Sequence, residues 1–161
     1  MKVLAMNRTD RKSLVLSLLA PALLLCLGLT GCCSFQRDWK STSRVPVAAD
    51  DIQGRWEGTW LSDRNGHTDQ LRCLLTKTEA GVYQARFRAK YEKIFTFSYT
   101  VPLQVTQTAA RWEFQGDANL GWYAGGRYHY EGQATPTNFF STYRCPSDHG
   151  TFRLARPASG K

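Results

Sequence analysis

What most constrains this chain is a two-residue rhythm of large apolar side chains. Between Val82 and Lys90, Tyr83, Ala85, Phe87 and Ala89 alternate with Gln84, Arg86 and Arg88. Successive side chains of an extended strand point to opposite faces, so this spacing marks a strand with one dry side and one wet side. The rhythm opens at Gly54-Arg55-Trp56-Glu57-Gly58-Thr59-Trp60, where Trp56, Gly58 and Trp60 share the dry face. It returns in Asp69, Leu71, Cys73 and Leu75, and again in Phe95, Phe97, Tyr99 and Val101. Helices need apolar residues three and four apart, and beyond the N-terminal leader no stretch offers that convincingly.

Turn residues punctuate the rhythm and divide it into strands expected at about 53–61, 68–78, 82–90, 94–105, 111–115, 127–133, 138–145 and 151–155. Asn65-Gly66 supplies the positive-φ pair that a tight hairpin needs. Pro102 cannot donate to a ladder, so the fourth strand must bend, bulge or show an edge there. The fold class expected is all-β. About eight antiparallel strands joined by short turns close most economically into a small up-and-down barrel, because closure removes exposed edges. Gly150-Thr151-Phe152-Arg153-Leu154 would then pair with the opening strand.

Gly54-Arg55-Trp56 on the first strand, with Arg153 or Arg156 near the last, resembles the calycin group, the lipocalins and the avidin-like barrels. The resemblance covers roughly residues 52 to 156 and is one of layout, with strands shorter than those of true lipocalins. It implies that Trp56 closes one barrel end and that one of the two arginines stacks on it.

Ahead of the barrel, Lys2, Arg8, Arg11 and Lys12 precede an uncharged apolar run from Ser13 to Thr30, the layout of a secretory signal peptide. It ends in Leu29-Thr30-Gly31-Cys32, which resembles the lipobox of bacterial lipoproteins. That resemblance implies cleavage before Cys32, diacylglycerol and further acyl chains such as palmitate on that cysteine, and a soluble domain held on a membrane of the cell envelope. In an organism with two membranes, the lack of Asp after Cys32 implies the outer membrane, facing the periplasm or the cell surface. The layout expected is a signal peptide at 1–31, a flexible tether at 32–51, the barrel at 52–157 and a short tail at 158–161. Trp39, in the tether, either packs on the domain or sits at the lipid interface.

Loss of the leader takes the formal charge from +8 to +5, because Lys2, Arg8, Arg11 and Lys12 leave with Asp10. The remaining Lys and Arg residues are scattered among strand positions and form no block, so nucleic acid is not an expected partner. The three histidines, His67, His129 and His149, have no metal-ligand spacing, and neither a G-x-S-x-G nor a C-x-x-C motif occurs. No metal, cofactor or catalytic residue is therefore expected. In an exported chain Cys73 and Cys145, both on apolar faces, either bridge the second strand to the seventh or remain buried thiols.

What is left to carry function is the inward aromatic set. Trp56, Trp60, Phe87, Phe97, Tyr99, Tyr128, Tyr130 and Tyr143 are the ligand-binding candidates. Trp122 and Tyr123, set among Gly121, Gly125 and Gly126, form either a lid at the barrel mouth or a cover over its end. An eight-stranded barrel is just filled by its side chains or holds one small guest. The leading expectation is a non-catalytic lipoprotein binding a small apolar or amphipathic molecule. The alternatives are a filled barrel acting as an interaction or structural module, and an enzyme whose polar residues are dispersed in sequence.

Overall fold

The computed structural model describes residues 34–46, 50–79, 81–109 and 111–158. The leader and the lipidation candidate Cys32 lie outside the described residues. Eight strands follow one another as β1 (Gly54–Ser62), β2 (Thr68–Glu79), β3 (Val82–Tyr91), β4 (Phe95–Gln107), β5 (Trp112–Asn119), β6 (Arg127–Ala134), β7 (Asn138–Arg144) and β8 (His149–Ala155). Each is antiparallel to its neighbours in sequence, and β8 returns to β1 to close the barrel, with Phe152 opposite Trp60 and Leu154 opposite Gly58. The chain is all-β in the way its alternation requires, and the closed eight-stranded barrel is compatible with a calycin-like fold.

Alternation fixes the inside. Trp56, Leu71, Cys73, Leu75, Ala85, Phe87, Val101, Leu103, Phe114, Tyr130, Phe139, Phe152 and Leu154 form one buried cluster. Two elements differ from the sequence reading. The fifth strand runs on to Asn119 because Gly116 is a close-approach glycine and not a turn: a β-carbon there would collide with the Pro102 carbonyl and the Leu103 side chain. Helical structure is present as well, at 34–42 and in a single 3₁₀ turn, Trp122–Ala124.

From Asp38 onward that first helix belongs to the same compact unit as the barrel. Trp39 is buried, with the guanidinium groups of Arg55 on β1 and Arg72 on β2 at 5.3 and 5.0 Å from its ring. Asp38 pairs with Arg86 of β3 at 2.6 Å. Within the stretch read as a flexible tether, this segment thus packs on the outer wall, and Trp39 takes the first of its two alternatives. Leu74, although it points outward, is buried beside it.

The barrel has two unlike ends. At the end where β1 begins, Trp56 is fully buried and its indole N–H donates to the Ile52 carbonyl at 2.9 Å. The Arg156 guanidinium lies 3.9 Å from the centre of the Trp56 ring and donates to the carbonyls of Asp51, Gln53 and Pro136. Arg156, not Arg153, is therefore the plug; Arg153 points outward over Phe140. Burial pushes the Arg156 guanidinium down to about 10, opposed by the Asp51 carboxylate, so it stays charged at neutral pH. Phe139 packs against both Trp56 and Phe114, at 5.8 and 4.7 Å, and this half of the interior is filled.

Trp56→Ala should cost about 3–5 kcal/mol, the usual range for emptying a buried tryptophan site, measured by urea unfolding. Arg156→Ala should also destabilise. Because each residue covers the other, the double variant should cost clearly less than the two single effects added together. The closed end should also respond to acid. Burial works against Asp51 ionisation, but hydrogen bonds from the Gln53 side chain and the Gln53 and Ile52 amides, with Lys77 nearby, hold it below its ordinary 3.8. A depressed carboxylate stabilises the fold above the unfolded value and loses that contribution as pH falls through the folded one. Stability should therefore fall on acidification below about pH 4, and Asp51→Asn should flatten that part of the profile.

Candidate functional site

The opposite end is open. A cavity of about 570 Å³ lies there, bounded by Trp60 of β1, Ala89 and Tyr91 of β3, Phe97 and Tyr99 of β4, Tyr128 and Tyr130 of β6, Tyr143 of β7 and Phe152 of β8. Leu120, Tyr123 and Asp148 complete it from the connecting loops. The site is placed by strand register. β3 and β4 bring Phe87 opposite Tyr99 and Ala89 opposite Phe97, so small Ala89 leaves room where a larger inward residue would close the mouth.

Pro102 explains why the opening lies where it does. The β4–β5 ladder runs only from Leu103–Gly116 to Gln107–Trp112. Between Phe95 and Pro102, β4 pairs with β3 alone. The imide ring stands where that ladder stops, so of the three outcomes a proline allows, the structure adopts the edge. Beyond it, Asp117, Ala118 and Asn119 of β5 pair only with β6, which leaves the β4 and β5 ends unlinked beside the cavity.

The floor is a set of overlapping rings. Phe87 lies 5.4 Å from Tyr99, 6.2 Å from Tyr130 and 5.4 Å from Phe152. Tyr128 continues the layer from Tyr130 to Tyr143, at 6.1 Å from each. The polar atoms come from the tyrosine hydroxyls. Those of Tyr99 and Tyr130 hydrogen-bond to each other, and the Tyr128 hydroxyl bonds to the Cys145 thiol. Tyr143 donates to Asp148 Oδ2 at 3.0 Å, while Asp148 Oδ1 accepts from Ser62 Oγ at 2.6 Å and from the His149 amide at 2.8 Å. Burial, more than any other cause, pushes the ionisation of all four tyrosines upward, so they are neutral donors and acceptors at physiological pH.

Above the floor stands a second aromatic group. Trp60 donates its indole N–H to the Lys90 carbonyl at 2.9 Å and packs with His67 and Tyr91, at 5.1 and 6.2 Å. His129 faces Asp117 at 3.2 Å outside the cavity, and His149 is exposed at the turn into β8. Among the described residues no three His, Cys, Asp or Glu side chains gather as metal ligands. The chemistry on offer is a broad apolar surface with a one-sided arc of uncharged hydroxyls.

Of the eight candidates named from sequence, Trp60, Phe97, Tyr99, Tyr128, Tyr130 and Tyr143 line this cavity together. Trp56 does not, being at the plugged end, and Phe87 lies beneath the tyrosines as support. The alternation that singled out Tyr83 and Phe87 also marks Ala89 as inward; its small size is what makes it a wall. Tyr123, read with Trp122 as a lid or a cover, lines the cavity while standing 77% exposed at its mouth; Tyr91, Leu120, Asp148 and Phe152 were legible only as loop or strand residues, because their convergence depends on how the barrel closes.

Cys73 and Cys145 are not bridged; both are free. Cys73 is fully buried in mid-barrel opposite Trp56 and Phe87, whereas Cys145 follows the end of β7 at the open end. Alternation put both on apolar faces without showing that they sit at different depths, and a bridge needs Cα atoms within about 7 Å.

No protein-family description, curated protein or solved structure matches the chain. The functional reading accordingly rests on the geometry of this cavity.

The two thiols should differ sharply in reactivity. Burial raises Cys73 far above the usual thiol range. At Cys145 burial also opposes ionisation, but hydrogen bonds involving Ser147, Tyr128 and the Ser147 and Asp148 amides outweigh it and lower the value. N-ethylmaleimide at neutral pH should modify Cys145 in the folded protein and Cys73 only after unfolding, as read by peptide mass. Equal labelling of both would contradict these environments.

Proposed function

We propose that this protein is an envelope lipoprotein, held on a membrane by lipid on Cys32, that binds a small apolar or amphipathic molecule in the open end of its barrel. The single observation that carries the binding reading is the cavity of about 570 Å³ with walls of aromatic rings and four neutral tyrosine hydroxyls. Volumes of about 300–1,000 Å³, mostly apolar with a few fixed polar groups, are those of small-molecule sites.

The arrangement supports a guest that lays a flat or flexible apolar body against Trp60, Phe97 and Phe152 and turns its polar atoms toward Tyr99, Tyr128, Tyr130 and Tyr143. Trp56 capped by Arg156 adds to the likeness with the lipocalins, in which a closed barrel end faces an open ligand mouth. The anchoring half of the proposal comes from the leader and Leu29-Thr30-Gly31-Cys32, and the scattered charge of the barrel gives no reason to add a nucleic acid. The filled-barrel alternative fits only the Trp56 half of the interior.

Mass spectrometry of protein extracted from membranes tests both halves. The intact mass should correspond to a chain beginning at an acylated Cys32. A small molecule should co-elute with the wild type and fall at least about tenfold with Ala89→Trp, equivalent to about 1.4 kcal/mol of lost affinity. Identical small-molecule content in wild type and Ala89→Trp would sink the binding proposal, and an unacylated mature chain would sink the anchoring proposal.

A further inference from the structure

The open end carries more than a cavity. Ile94 is 81% exposed, Phe95 59% and Phe97 50% on the β3–β4 hairpin, while Trp122 is 91% and Tyr123 77% exposed on the 3₁₀ turn between β5 and β6. Tyr91 and Leu61 complete the exposed large apolar residues at this end, and the only other among the described residues is Val45. A soluble surface scatters such side chains singly; a cluster at one end marks an interaction site.

Both apolar tips are held out by the backbone. Glu92 and Lys93 have φ of 54° and 61°, a left-handed conformation uncommon for non-glycine residues, and the Lys93 amide is fixed by Asp69 Oδ2 at 3.0 Å. Ile94 projects from that turn. On the other tip, Gly121, Gly125 and Gly126 all have positive φ, and the Gly126 amide donates to the Gly121 carbonyl at 2.8 Å to close the loop. No β-carbon fits at Gly125, which faces the Tyr128 hydroxyl, Ser147 and Cys145. Trp122 is therefore presented outward by a loop whose base rests on the cavity wall.

We propose that this rim docks on the lipid bilayer, with Ile94, Phe95, Trp122 and Tyr123 seated at the headgroup–acyl boundary and the cavity opening onto the lipid. Two observations select a bilayer over a protein partner. Tryptophan and tyrosine are the residues that favour the membrane interface, where one part of the ring is apolar and another wet. Lys90, Lys93 and Arg127 are exposed beside the two tips, against Glu92 as the carboxylate within the first, which suits anionic headgroups. The proposal deepens the binding reading, which it presupposes only for the anchor: it makes the guest a membrane-resident amphiphile that moves between lipid and cavity without crossing water.

The test uses the mature acylated protein reconstituted into vesicles of phosphatidylethanolamine and phosphatidylglycerol, with and without lipids brominated along the acyl chain. The acyl anchor keeps every variant on the vesicle, so the readout is orientation. Brominated lipid should quench a tryptophan component that is missing in Trp122→Phe, and Ile94→Glu, an exposed change, should restore most of that emission. Quenching identical in wild type and Trp122→Phe would overturn the proposal. So would protection of the rim in envelope fractions but not on protein-free vesicles, which would assign the rim to a protein partner. The small-molecule content of Ala89→Trp reads the cavity separately, so failure of one proposal is distinguishable from failure of the other.

Discussion

The contact on which the rest of the barrel depends is the cation of Arg156 lying on the ring of Trp56. A closed eight-stranded barrel has room for one layer of large rings or for a guest, and not comfortably for both along its whole length. By closing one end with a tryptophan whose N–H is satisfied by Ile52, and an arginine that reaches four backbone carbonyls, those of Asp51, Gln53, Arg55 and Pro136, the chain concentrates its packing there. Phe114, Phe139, Leu75 and Leu103 complete the closed end of one buried cluster that continues through Phe87, Tyr130, Tyr143 and Phe152. With the large rings of that end packed beneath Arg156, small Ala89 and four tyrosines line the space at the other.

The same division explains what could be read from sequence. Period-two alternation reports which face a side chain takes, and on that question Trp56, Tyr83, Phe87, Tyr130 and Tyr143 are all legible. It says nothing of height along the barrel. Trp56 and Trp60 share a face and are four residues apart, yet one is sealed beneath Arg156 and the other frames the mouth. Cys73 and Cys145 fail as a pair for the same reason. The segment 34–42 was missed on different grounds: its apolar signal is a single pair, Phe35 and Trp39, spaced four apart and both buried, which is too short to mark a helix by period. Tertiary contact, not local pattern, holds it.

The polar chemistry of the cavity follows from its dielectric. A buried charge is costly unless paired, and the one carboxylate at the wall, Asp148, has both oxygens occupied by Ser62, Tyr143 and the His149 amide. Tyrosine solves the problem differently, offering a donor and an acceptor on a largely apolar body with ionisation pushed out of reach by burial. Four such groups in an arc would give the proposed guest several hydrogen-bonding options without dictating one, which suits recognition of a shared amphipathic character more than of a single shape.

Pro102 links the cavity to the rim. By ending the β4–β5 ladder at Leu103, it leaves the upper half of β4 bonded on one side only. A free strand edge is normally a hazard, since it invites pairing with another chain. Here the edge carries Phe95 and Phe97, and the connection carrying Trp122 and Tyr123 leaves the end of β5 on the far side of the gap. A bilayer cannot add a strand, but it can cover apolar side chains and admit a lipid-like guest through a gap that has no backbone bonds to break. In the proposed docking, the feature that would be a liability in water would serve as an entrance, and the exposed rings around it would be covered by the membrane that carries the proposed anchor.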